Sequence, residues 1–382
     1  MRVESKNLTT TVKLAKSTVT AWRSCALLAC LVVIVPPSLS RNALADSTLR
    51  PQGVSQHIEK SIHKGLEFLK KHQKRNGSFA MGTDHTRQGS SYRIAMTAFA
   101  GLAFLASGST PSRGPYADQI REIRDYLLAN ATKRHDGLLT NGMEQRPMYS
   151  HAFGMTFFAH IYGQETDPTK RNHIRTVLHK AVQLCRNSQT NAGGWGYMPN
   201  FHSDEGTLTV TQLQGLRACQ DVGIYVDKSM IDRAVHYIEI STNPNGSVRY
   251  HPGASPANTR HGVTCASIVA LWQAGRYNDP LFKRIGNYME RHIISDWGRR
   301  RFHRNWNHHH HGEFIVYYMA QAKYFMRGEN WQSFYEMVAA ELLRTQDVNG
   351  SWEGKDAGQI YGTCVALLAL QLPYNRLTTF RR

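Results

Sequence analysis

The stretch Leu342-Leu343-Arg344-Thr345-Gln346-Asp347-Val348-Asn349-Gly350-Ser351-Trp352 decides the fold of this chain. Its first residues end an amphipathic segment, Asn-Gly makes a tight turn that tolerates positive φ, and Trp352 leads into an apolar segment. The same signal recurs at Gly77, Gly137, Gly193, Gly246 and Gly298, so that successive turn glycines are 60, 56, 53, 52 and 52 residues apart. Two apolar-periodic segments fill each interval. The repeating unit is therefore a helical hairpin, and six of them occupy the chain from about Val54 onward.

The two helices of a hairpin differ in character. Ile58, Ile62, Leu66 and Leu69 form a single apolar stripe, as do Trp331, Tyr335, Val338 and Leu342, with charged residues on the other faces. Such helices cover a core from outside. Segments 94–106, 153–162, 263–274 and 363–372 carry almost no charge on any side and belong inside. An open array would need a polar cap on its last repeat. The sixth inner segment is as apolar as the others, so the expected fold is all-α: a closed α/α toroid (α6-α6 barrel) in which repeat six seals against repeat one. Links from outer to inner segments exceed the usual ~4–6 residues. They should all emerge on one rim, where loops on a rigid scaffold carry binding.

Residues 1–45 read as a leader to be removed before folding. Lys6, Lys13, Lys16 and Arg23 precede an apolar run from Cys25 to Val35, Pro36 and Pro37 break it, and Ala43-Leu44-Ala45 precedes Asp46. The run is too short to span a bilayer. Export to a periplasmic or secreted location, with cleavage after Ala45 and one toroid domain over 46–382, is the expectation. That removes six Lys/Arg and one Glu, leaving 40 basic and 27 acidic residues, a formal +13. No basic run or motif focuses this charge on nucleic acid, whereas an acidic glycan is compatible with it. Cys185, Cys219, Cys265 and Cys364 fall inside apolar segments without CxxC spacing and read as buried thiols, disulfides being the alternative in an exported chain.

Lys64-Gly65-x-x-Phe68-Leu69-x-x-x-Gln73-x-x-x-Gly77-x-Phe79 resembles the QW repeat of squalene and oxidosqualene cyclases, with Phe for the closing Trp. Gln189-x-x-x-Gly193-x-Trp195 and Gln346-x-x-x-Gly350-x-Trp352 keep its second half intact. In this reading Gln satisfies open backbone groups at the end of the outer helix, Gly turns, and the aromatic packs over the inner helix. Across six repeats the chain resembles the terpenoid cyclase and protein prenyltransferase superfamily, and is most similar to exported prenyltransferase/squalene-oxidase-repeat proteins, especially over Gly312 to Arg376. The resemblance implies an α/α toroid and a small apolar or isoprenoid-like ligand held in its apolar bore. It does not supply the chemistry. No two aspartates are adjacent, as a cyclase acid motif requires; no Asp lies two residues before a Cys, and Gly362 follows Tyr361 where a prenyltransferase has its zinc-binding His.

Candidate site residues follow from the rim. Segments 74–93, 134–151, 195–207, 245–261, 296–313 and 350–359 hold eleven of the 19 histidines. Arg93, His151, Thr209, His261, Glu313 and Tyr361 stand near the starts of the six inner helices and are expected to face the ring axis, where six converging N-termini suit an anionic group. Tyr92 and Arg260 join them as ligand-binding candidates. Phe99, Phe104, Phe157, Phe158, Trp272, Tyr317, Tyr318 and Tyr324 are candidate cavity walls, with core packing as the alternative. His308, His310 and His311, beside Glu313, have spacing that can hold a divalent metal. Tyr92, Arg93, His151, Arg260, His261 and Tyr361 also fit a glycan-binding or lyase toroid, a reading from a different class.

Overall fold

The computed structural model describes residues 50–80, 92–200, 203–298, 311–326, 328, 330–355 and 357–380. The leader reading and His308 and His310 lie outside them. Six outer helices begin where local chemistry permits: Ser55 caps α1 (Gln56–His72) through Ile58 N, and Asp167, Asp227 and Asp279 cap α5 (Pro168–Ser188), α7 (Lys228–Ser241) and α9 (Pro280–Tyr288). The other two are α3 (Ala117–Ala131) and α11 (Trp331–Thr345). Each bears one buried stripe. The inner helices are α2 (Arg93–Ala106), α4 (Pro147–Tyr162), α6 (Gly206–Asp221), α8 (His261–Gln273), α10 (Gly312–Met326) and α12 (Gly358–Gln371). They are buried on nearly every side, as their uniform apolar character requires.

Each inner helix packs on the next, and α12 returns to α2. The ring is closed. At the seam, Gln346 Nε2 donates to Ser61 O (2.9 Å) on α1, and Ser61 Oγ donates back to Gln346 Oε1 (2.8 Å). Trp352 is fully buried, and a Cβ at Gly65 would lie 2.8 Å from its ring, which is why glycine stands there. Gln371 Nε2 adds a bond to Ala103 O of the first repeat (3.2 Å).

The turn glycines do more than turn. Gly77, Gly137, Gly193, Gly246 and Gly350 all have φ between 83° and 96°. A Cβ at Gly350 would sit 2.4 Å from Lys64 O, so the turn of repeat six is pressed onto the backbone of repeat one. The Gln amide differs from its expected role. Gln73 Nε2 bridges Gly77 O (3.2 Å) and Gln119 O (3.1 Å), and Gln189 Nε2 bridges Gly193 O and Met230 O, so each ties its turn to the next outer helix rather than capping its own. The end of the outer helix is instead satisfied by the indole: Trp195 Nε1 donates to Cys185 O (2.8 Å) and Trp352 Nε1 to Leu342 O (2.7 Å).

Gly298 breaks the pattern. It is still helical, because α9 runs on through a π-helical segment, Met289–Ile294, into Ser295–Gly298. The centre of the ring also differs from the expected apolar bore. Gln214 of α6 reaches Gln321 (2.8 Å) and Tyr317 and Tyr318 (both 3.4 Å) of α10, helices that are not neighbours in the ring, so these side chains meet across its axis and fill it. The far end is closed by the C-terminal turn Thr378–Phe380, where Gln273 Nε2 donates to Thr379 O (3.3 Å). Cys185, Cys219, Cys265 and Cys364 are buried free thiols. No described helix is long and apolar enough to cross a membrane.

Candidate functional site

All six repeats contribute to one cavity of about 380 Å³, at the end of the ring where the inner helices start. The described parts of the long connections therefore share a rim. The floor is apolar: Ala95, Met96, Phe153, Val263, Phe314 and Ile315. Beneath it Phe99 packs on Phe153 (4.8 Å), Tyr317 (5.0 Å) and Tyr361 (5.6 Å), which sets the depth of the hollow.

The mouth is aromatic and cationic. Tyr92, Tyr149 and Tyr197 form a chain of ring contacts at 6.5 and 6.2 Å, and the hydroxyls of Tyr197 and Tyr250 are hydrogen-bonded to each other. Arg146 lies over the Tyr197 ring at 4.3 Å and Arg260 over the Tyr250 ring at 5.6 Å. The ring faces hold both guanidiniums at the mouth, and Arg260 Nη1 also donates to Thr259 O (3.3 Å). Burial raises the hydroxyl pKa of Tyr92, Tyr149 and Tyr250, so they remain neutral donors.

Two carboxylates stand behind this layer, and none of the described carboxylates lines the cavity. Glu205 caps α6 through Leu208 N (2.8 Å) and Thr207 N (2.7 Å) and accepts from Tyr149 OH (3.0 Å); burial raises its pKa. Glu144 accepts from Ile94 N (3.2 Å) and Ser150 Oγ (2.6 Å), and burial pushes its pKa up to about 7. The two acids fix the starts of α6 and α2.

Of the eight expected ligand-binding residues, Tyr92, Arg260, His261 and Tyr361 line the cavity. Arg93, His151, Thr209 and Glu313 do not. Thr209 Oγ1 accepts from Trp195 N (3.2 Å), as Thr97, Thr264 and Thr363 do from Phe79, Val248 and Trp352. His151 takes the same place in repeat two, where its Nδ1 accepts from Leu139 N (3.3 Å). Glu313 accepts from Lys355 N in the last rim loop, and Arg93 lies near Tyr126 of α3. His151 and Thr209 thus hold their turns, whereas Arg93 and Glu313 are the first and second residues of α2 and α10, so the four do not share one helical phase. None of the eight candidate wall aromatics is in the lining; Phe157 meets Gly101, and Trp272 stacks on Phe325 (5.4 Å). His311 does line the cavity, with φ 60°. No group of three metal-ligating side chains occurs among the described residues.

His151 is also 3.3 Å from Cys185 Sγ, yet this is no nucleophilic dyad. Both are fully buried, the imidazole pKa falling to about 4 and the thiol pKa rising, so neither carries the charge such chemistry needs. The linkage has a sign. His151, depressed, contributes stability above pH 6.5 that is lost as pH falls toward 4; Glu144, raised, contributes stability below pH 4.5 that is lost as pH rises toward 7. The two slopes oppose each other between these limits. His151→Thr, which installs the residue used by four other repeats, should leave the Glu144 slope alone, so that stability measured by denaturant rises from pH 6.5 to 4.5 more steeply than in the wild type. An unchanged slope would contradict the assignment.

Sequence reasoning missed Arg146, Tyr149, Tyr197, Tyr250 and Phe314. A usable signal was present for some: Arg146 precedes Pro147 at the first position of a helix, and Tyr197 and Tyr250 each stand two residues after a turn residue bound by an inner-helix Thr.

No family model and no curated protein matches the chain. Solved structures do. A type II terpene cyclase from Scytonema, MstE, in complex with geranylgeranyl dihydroxybenzoate, is similar at 13% identity and TM-score 0.55 over 84% of this chain and 98% of that one. The chain shares its fold with an α/α toroid. An α-1,6-mannanase, GH76A of Salegentibacter sp. HEL1_6, in complex with α-1,6-mannotriose, is similar at 9% identity and TM-score 0.59 over 83% and 99%. A protein from Actinoplanes is similar at 11% identity and TM-score 0.53 over 85% and 99%. At these identities the α/α-toroid likeness speaks for architecture alone.

Proposed function

We propose that this protein, once exported, binds a largely apolar, isoprenoid-like ligand in the rim cavity, with the polar end of that ligand at Arg146 and Arg260. The observation that carries the reading is the division of the cavity into an apolar floor and a cationic, tyrosine-rich mouth with no carboxylate among the described lining residues. An apolar body gains from the floor, and an anionic or acceptor-bearing end gains from the guanidiniums and neutral hydroxyls. The volume is at the small end of ordinary ligand pockets, roughly 300–1,000 Å³. The Scytonema terpene cyclase of similar fold takes geranylgeranyl dihydroxybenzoate, an isoprenoid-bearing substrate, which supports the same class of ligand.

The glycan alternative draws on the same arginines and on the mannanase likeness. Its lyase form is disfavoured because burial keeps Tyr92, Tyr149 and Tyr250 protonated, the opposite of what a base needs. Native mass spectrometry of the purified protein, followed by solvent extraction, tests the proposal. An apolar small molecule should be released, and the stripped protein should rebind a prenylated aromatic acid. Release of an oligosaccharide instead, or no binding of either class, would overturn it.

A further inference from the structure

The opposite end of the ring, where the inner helices finish, holds another hollow, of about 370 Å³. Its walls come from the ends of α6 and α8, the loop after α8, and the C-terminal turn. Leu377 and Phe380 are buried and anchor that turn, so Thr378 and Thr379 of the wall are held in place. Hydrogen bonding here is incomplete on both the donor and the acceptor side. His160 Nδ1 lies 2.7 Å from Thr156 O, and a carbonyl cannot donate, so the proton is on Nδ1 and Nε2 offers a single lone pair. Three donors stand around it: Thr378 Oγ1 and Thr379 Oγ1, both at 3.3 Å, and Thr379 N at 3.4 Å. One lone pair cannot serve all three, so hydroxyl donor capacity is left over at the wall. Gln273, 7% exposed, donates through Nε2 to Thr379 O (3.3 Å), while its Oε1 is buried with no donor among the described residues.

The charged residues of the wall neutralise each other, Arg217 Nε meeting Asp221 Oδ1 at 2.8 Å while Arg217 Nη1 donates to Gln273 O (3.3 Å). The rest of the wall is aromatic. Trp272 stacks on Phe325 with planes 4° apart, and Tyr277, 47% exposed, meets the same indole at 5.0 Å. We propose that this hollow is a saccharide-binding site, with the C–H face of a neutral pyranose against Trp272 and Tyr277 and its hydroxyls on Gln273, Thr378 and Thr379. A hydroxyl donates and accepts at once, which is what an orphan amide oxygen beside surplus hydroxyl donors requires. The paired Arg217 and Asp221 present no net charge to draw an ion, and a wholly apolar ligand would leave Gln273 Oε1 unsatisfied. The site lies at the other end of the ring from Arg146 and Arg260 and does not depend on what the rim cavity holds.

Saturation-transfer difference NMR of the full chain with a mixture of cellotetraose, maltotetraose and chitotetraose tests it. At least one of the three should show transfer to its C–H protons, and its affinity should change little with added salt. Tyr277→Ala, at an exposed position that spares the fold, should weaken binding about fivefold to tenfold, the usual worth of a ring contact. Gln273→Leu, which removes the orphan acceptor, should weaken it about tenfold. Tyr225→Ala, in the corresponding loop of the preceding repeat and outside the lining, should leave affinity unchanged, as should Ala357→Trp, which fills the rim cavity instead. No transfer to any of the three sugars, or wild-type affinity in Tyr277→Ala, would overturn the proposal. Loss of binding in Ala357→Trp would place the sugar at the rim and overturn it as well.

Discussion

Trp352→Ala is expected to destabilise the protein by about 3–5 kcal/mol, the usual cost of deleting a fully buried large aromatic. The indole has no exposed surface, packs against Gly65 of the first repeat, and donates to Leu342 O (2.7 Å). Its removal leaves a cavity at the seam and an unpaired carbonyl at the end of α11. Because Trp352 joins repeat six to repeat one, hydrogen exchange should rise in α1 and α12 before it rises on the far side of the ring. Gln346→Ala, which removes bonds to Ser61 and Gly350, should cost less, about 1–3 kcal/mol. Denaturant titration measures both. A loss under about 1 kcal/mol for Trp352→Ala would mean that the ring does not depend on this closure.

Ala357→Trp should abolish ligand retention while preserving the fold. Ala357 is half-buried at the start of α12 and lines the cavity, and its φ of −141° suits any residue. An indole there occupies a large part of about 380 Å³ and blocks the path from the tyrosine mouth to Phe314 and Phe153. Affinity for a prenylated aromatic acid should fall about a hundredfold or more, since a filled pocket forfeits most of the apolar area a ligand buries. Tyr225→Ala, 75% exposed and outside the lining, is the control and should retain ligand. Circular dichroism checks that both variants are folded. Full retention by Ala357→Trp would place the ligand elsewhere.

The two results address different parts of the molecule, and those parts were unequally visible in the sequence. The seam was legible because its components are local: Gln346, Gly350 and Trp352 lie within one turn, and their counterparts at Gln189, Gly193 and Trp195 repeat the spacing. Even here the partner of the glutamine was misjudged. A spacing tells which residue makes a bond, but the acceptor on Met230 or Ser61 belongs to another repeat. The Gly298 turn was misplaced for a related reason, as a π-helical segment adds length without changing the composition of the helix.

The site was legible only in outline. Tyr92, Arg260, His261 and Tyr361 were found because they flank inner-helix starts. His151, expected at the cavity, instead stands where other repeats have a threonine that holds the turn, and only the hydrogen bond from Leu139 N reveals this. Tyr197 and Tyr250 belong to different repeats, and nothing in either local sequence says that their hydroxyls meet.

Six hairpins, their closure into a ring and the rim that carries the loops follow from local patterns in the chain, since periodic burial and turn glycines are properties of short stretches and act wherever those stretches occur. The depth of the hollow and the side chains that face it do not. Those depend on the rotation of each inner helix about its own axis, at about 100° per residue. An uncertainty of one or two residues in where a helix starts is enough to turn a side chain from the cavity into the wall.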